Sequence, residues 1–143
     1  MKIGFWGDVY QATSYSVDIS EVVIETKDVD FNVVNLEGVI CDFDICNGIE
    51  KTGPILRCDS SVLDNLENMK VRLISLANNH AGDYGSEGIN QTCIHLQKKS
   101  INYIGVGCDI EESYRAFRVE DRTLQIVIVS SLSFLDIDPS NLL

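Results

Sequence analysis

Five short apolar runs, at residues 3–6, 31–36, 71–77, 101–106 and 124–129, are rich in β-branched residues and mostly fail to alternate with polar ones. A strand with one face in water alternates, whereas a strand covered on both faces does not, and double coverage is typical of parallel sheets. The runs therefore predict a largely parallel sheet. Between the third and fourth, residues 85–99 place Ile89, Cys93 and Leu96 at i, i+4 and i+7, with Lys98 and Lys99 in the last turn, where the helix dipole favours cations. That spacing predicts an amphipathic crossover helix. Ser61 with Asp64 resembles a capping box ahead of an apolar stripe of Val62, Leu63, Leu66 and Met69. Asp109 with Glu112 marks a short helix start, and a weaker helical stretch covers about residues 20–27. The resulting order of strands and helices is an α/β alternation.

At 143 residues and 45% hydrophobic content, the chain is the size of one domain, and residues 1–143 are read as such. A net charge of −11 repels a phosphate backbone or an anionic bilayer surface, which argues against nucleic acid as a partner. Five cysteines, Cys41, Cys46, Cys58, Cys93 and Cys108, include no C-x-x-C pair, so neither a disulfide framework nor a thiolate zinc site is suggested. A reducing cytoplasm fits this usage best. No run approaches the roughly 18–20 apolar residues that span a bilayer, and no signal-like segment opens the chain, although an upstream anchor would make the protein membrane-associated or extracytoplasmic. Residues 38–59 lack periodicity, and so long a loop is usually functional or mobile. The chain stops at Asn141-Leu142-Leu143, soon after a strong strand and without a closing helix, so it is expected to be truncated at its C-terminus.

In open α/β sheets, sites gather at the carboxyl ends of the strands. Three polar clusters fall there: Gly7-Asp8, Asn35-Leu36-Glu37-Gly38 and Asn78-Asn79-His80. Carboxylates, amide oxygens and an imidazole are hard donors suited to magnesium, manganese, iron or zinc, so the arrangement predicts a metal centre. Each cluster also has a plainer explanation. Gly7-Asp8 is a common strand-to-turn ending, and Asn35 and Glu37, two residues apart on one strand face, would also serve as a solvated strand end. Two amides and an imidazole directly after a buried strand are harder to explain by turn chemistry alone. Asp83 either caps the following helix or hydrogen-bonds His80. Lys51 and Arg57 either meet an anionic substrate or are solvated loop charges. His95, inside the crossover helix, reads as a surface histidine, and Gly105-Val106-Gly107 as close strand-to-helix packing.

These clusters resemble the capsule-biosynthesis CapA family, the poly-gamma-glutamate synthesis proteins of the calcineurin-like metallophosphatase superfamily. The resemblance rests on Gly7-Asp8-Val9, Asn35-Leu36-Glu37-Gly38, Lys51-Thr52-Gly53-Pro54, Leu76-Ala77-Asn78-Asn79-His80 through Asp83-Tyr84-Gly85, a helix with Thr92 and Leu96, and Gly105-Val106-Gly107. It runs from about Met1 to Phe134 and implies a metallophosphatase-type α/β sandwich of which this chain is the N-terminal half. It further implies that Asp8, Asn35, Glu37 and Asn79 hold one or two divalent ions (Mn, Fe, Zn or Mg) and that His80 is the catalytic acid. Asn78, Asp83 and Lys51 would support that site or meet substrate. The implied reaction is hydrolysis of a phosphoester or amide bond in an anionic polymer or small molecule. The superfamily's later histidine ligands would lie beyond residue 143, so the chain alone is expected to be inactive, and its bared sheet edges to favour a homo-oligomer. A non-catalytic binding or assembly component that keeps the fold is the alternative. A nucleotide-binding domain ranks behind both, because Gly7-Asp8-Val9-Tyr10 offers a carboxylate where a glycine-rich loop would offer amides.

Overall fold

The computed structural model of the chain describes residues 1–15, 17–42, 44–107, 109–121 and 124–131. Residues 141–143, Phe134 and Cys108 lie outside the described residues. The elements run β1 (Ile3–Val9), α1 (Ser20–Thr26), β2 (Phe31–Leu36), β3 (Val39–Ile40), β4 (Arg57–Cys58), α2 (Val62–Asn68), β5 (Val71–Ser75), α3 (Gly85–Lys98), β6 (Asn102–Ile104), α4 (Ile110–Ser113), β7 (Phe117–Asp121) and β8 (Leu124–Ile128).

Strands β1, β2, β5 and β6 form one parallel sheet in that spatial order. Parallel neighbours need crossovers, and helices α1, α2 and α3 supply the covering layer the apolar pattern demanded. On the helix side, Val34, Leu36, Ile74 and Leu76 pack with Val62, Leu63 and Leu66 of α2 and Cys93 and Leu96 of α3. On the opposite side, Phe31, Val33, Leu73 and Ile104 pack against Phe117, Val119 and Ile128. Double coverage explains why β2 has almost no exposed residue.

The fifth apolar run departs from the expected parallel sheet. Residues Leu124–Ile128 pair antiparallel with Phe117–Asp121 in a separate two-stranded sheet. The alternation of Phe117, Val119 with exposed Arg118, Glu120 is the pattern of a one-sided strand, and it turns one face of the pair onto the sheet. The capping box at Ser61 does not form either. Its hydroxyl accepts from Gln11 Nε2 at 2.8 Å, while Asp59 accepts the Ser61 amide at 2.9 Å, so an Asx turn opens α2 instead. Asp109 does cap α4, accepting from the Glu112 amide at 2.7 Å.

Asn32 has its side chain fully buried in the sheet and satisfied on both sides. Its Oδ1 accepts from Trp6 Nε1 at 2.7 Å and its Nδ2 donates to the Met69 carbonyl at 2.6 Å. Gly105, just past β6, has φ +92°, and a Cβ there would stand 2.6 Å from the Ala77 Cβ and 2.8 Å from its backbone nitrogen. Gly105→Ala is therefore expected to cost about 2–4 kcal/mol through forced backbone and overlap. The check is a lowered urea midpoint at unchanged m.

Candidate functional site

The carboxyl ends of β1, β2 and β5 lie side by side, and a line of hydrogen bonds runs across them. Asp8 pairs with Asn35 in the β1–β2 ladder, so it belongs to the strand and not to a turn after it. Asn35 Nδ2 donates to Asp8 Oδ1 at 2.7 Å, and Asn35 Oδ1 accepts from Asn78 Nδ2 at 3.1 Å. The same Asn78 nitrogen reaches the Leu36 carbonyl at 2.8 Å, and Asn78 Oδ1 accepts the His80 amide at 3.0 Å. Asn78 is thus a buried brace that ties the β2 end to the turn after β5. An amide suits this position because it donates and accepts at once.

Beyond Asn78 the chain turns back, and His80 meets Asp83. His80 Nδ1 lies 2.8 Å from Asp83 Oδ2, and both residues are buried. Lys51 forms an ion pair with Asp83 Oδ1 and also approaches His80 Nδ1 at 3.4 Å. An ionised carboxylate can only accept, which suits Nδ1 of the imidazole as the donor in the shorter contact, to Asp83. Asp83 does not cap α3, whose N-terminus has no side-chain cap. Its carboxylate is engaged by His80, by Lys51 and by the Leu56 amide at 2.7 Å. Lys51, a loop charge in sequence, is accordingly a half-buried partner of that carboxylate.

Three further groups at this end of the sheet carried little or no sequence signal. The Leu56 and Ile49 amides fasten the loop after β3 to Asp83, the second at 2.9 Å on its carbonyl oxygen. Backbone donors carry no residue signature, so no motif flags them. Gln11 joins the loop after β1 to α2, accepting from Asn65 Nδ2 at 2.9 Å. Tyr84 has its hydroxyl held above its usual range by burial, opposed by Arg57 and reinforced by Cys41, Asp83 and Tyr10. His95 lies half-buried within α3, remote in sequence from the cluster.

Asp8 and Asn79 are exposed, and Glu37 is half-buried with no hydrogen bond to its carboxylate among the described residues. Hard oxygens of this kind suit a divalent cation. In number they are fewer than a site needs: among the described residues, no three His, Cys, Asp or Glu side chains come together to hold a metal ion. The donors are of the kind such an ion takes. No helix among the described residues is long and apolar enough to cross a membrane.

Residues 4–141 match the family described as bacterial capsule synthesis protein PGA_cap. Over 72 residues the chain is 26% identical to the PGA biosynthesis protein CapA of Bacillus subtilis (strain 168), an alignment covering 50% of this chain and 18% of that protein. The similarity to that relative is thus confined to under a fifth of its length.

Proposed function

The chain belongs to the bacterial capsule synthesis protein family PGA_cap, and from that premise we propose that it carries strand-end residues of a metal-dependent hydrolase in capsule, poly-gamma-glutamate or exopolysaccharide biosynthesis. The bond cut would be a phosphoester or an amide in an anionic polymer or small molecule. The observation that carries this reading is the buried His80–Asp83 pair, 2.8 Å apart, set beside the Asp8–Asn35–Asn78 line. A carboxylate behind an imidazole fixes its tautomer and its orientation, an arrangement suited to moving a proton at Nε2.

Asp8, Asn35, Glu37 and Asn79 would hold the divalent ion or ions, with manganese, iron, zinc and magnesium all compatible with oxygen donors. When bound, such an ion supplies an activated water and charge stabilisation. This chain's own part is otherwise positional. Asn78 holds the β2 and β5 ends in register, Asp83 orients His80, and Lys51 balances the Asp83 charge. His80, once protonated at Nε2, would hand its proton to the leaving group.

His80→Ala is expected to lower turnover about 10²–10⁴-fold while leaving metal content unchanged, and Asp8→Asn is expected to lower metal content. Elemental analysis alongside phosphodiesterase and peptidase assays on the full-length protein tests both. A metal-free protein whose activity is indifferent to His80→Ala would refute the reading. The small donor set favours one rival, a binding or assembly component that keeps the fold. Polymer binding without turnover in an otherwise metal-loaded protein would decide for it.

A further inference from the structure

Strand β1 is an edge of the parallel sheet, with no strand on its outer side among the described residues. Its stretch from Phe5 to Asp8 is exposed, and its ladder to β2 shifts register between those two residues. A segment with little apolar cover and an interrupted ladder is among the first to open. Yet Asp8 lies at that end, and Glu37 is tied to the same end through its amide, which donates to the Val9 carbonyl at 2.9 Å. Holding these two carboxylates still calls for an anchor outside the ladder.

Gln11, half-buried just past β1, is that anchor. Its Nε2 donates to the Ser61 hydroxyl at 2.8 Å and to the Thr13 carbonyl at 3.0 Å, and its Oε1 accepts from Asn65 Nδ2 at 2.9 Å. Its main-chain carbonyl accepts the Asp59 amide at 2.8 Å. Ser61 stands at the start of α2 and Asn65 in its first turn, and α2 is itself fixed by Val62, Leu63 and Leu66 in the large core. A primary amide suits the post because it donates twice and accepts at the same time.

We propose that Gln11 is a positioning residue, which fixes the end of β1 on α2 and so holds the Asp8 carboxylate in place beside β2 and Glu37 for a divalent ion. The inference rests on Asp8 and Glu37 holding such an ion. Two carboxylates brought toward one ion repel each other before it arrives, and an edge strand with little apolar cover resists that push weakly. With β1 clamped to α2, the ordering is done before the ion binds, and affinity rises accordingly.

Titration calorimetry of manganese into the full-length protein, stripped of metal beforehand, tests the proposal. Gln11→Met, which keeps the volume and removes the side-chain hydrogen bonds, is expected to weaken manganese binding about 10–100-fold, the usual cost of losing a support behind a ligand. Asn65→Leu should lose less, and the double variant no more than Gln11→Met alone, because both cut one tie. Lys99→Met, which removes the 2.8 Å contacts of Lys99 with Asp64 and Glu67 on α2, is expected to leave the affinity unchanged. In metal-free protein, the Glu37 amide should exchange faster in Gln11→Met while Val34 keeps its protection. Should Gln11→Met fail to fold, Asn65→Leu carries the test. Unchanged affinity in Gln11→Met and Asn65→Leu would overturn this proposal alone, and so would an equal loss in Lys99→Met, which would mark a general effect of stability. An unaltered protein that takes up no manganese would overturn both the proposal and the ion-holding reading of Asp8 and Glu37.

Discussion

Asp83→Ala is expected to lower folding stability by about 3–5 kcal/mol, the cost of breaking a buried charge pair by removing one partner. The carboxylate is 1% exposed and serves three groups at once, the Lys51 ammonium, the His80 imidazole and the Leu56 amide. Alanine strands all three. The ammonium is left half-buried without its counter-charge, and the Leu56 donor faces the desolvation penalty of about 1–3 kcal/mol for an unmade hydrogen bond. Asp83→Asn should cost less, because its amide oxygen can still accept from Leu56 while the charge is lost. Urea unfolding of the two variants measures the order. Equal losses would mean that the charge carries the whole effect and the retained Leu56 hydrogen bond adds nothing, and a loss under about 1 kcal/mol for alanine would refute the burial argument.

Phe31→Ala is the second large effect, expected at about 3–5 kcal/mol for a fully buried aromatic. Phe31 is 0% exposed, its ring stands edge-on to Phe117 at 6.2 Å between centroids, and the Arg72 guanidinium lies 5.2 Å from the ring centre. It is the main plug between the parallel sheet and the β7–β8 pair. The loss should therefore be uneven. Hydrogen exchange is expected to speed first in β7 and β8, with β2 and β5 still protected by the helices on their other face. Uniform acceleration across all strands would contradict this two-sided account.

The inner strands of the central sheet were legible in the sequence because both their faces are covered, which leaves runs such as Phe31–Leu36 without strict alternation, whereas β1, also read as doubly covered, is largely exposed. The crossover helix was legible from Ile89, Cys93 and Leu96 at helical spacing. Strand β7 went unread because Phe117 and Val119 are its sole apolar residues, too few to outweigh Arg118 and Glu120. Strands β3 and β4, two residues each, are shorter than any periodicity can register. At the site, the convergence of Asp8, Asn35 and Asn78 was readable from their placement at successive strand ends. The engagement of Asp83 by Lys51 and Leu56 was not, because it depends on how the long loop folds back. Local propensity at Asp83, just ahead of a helix, pointed to a cap, and the tertiary contacts overrode it.

Asp8 and Asn35 face each other across the gap between β1 and β2, and Asn78 joins them from the turn beyond β5. Parallel strands lie about 4.8 Å apart, a spacing imposed by the backbone ladder and indifferent to side chains. The site therefore has a built-in pitch. Substitutions at Asp8 and Asn35 can change what is presented there, such as charge, length or softness, but not how far apart the presentations stand. A ligand that suits this protein has to match a ruler cut by peptide geometry.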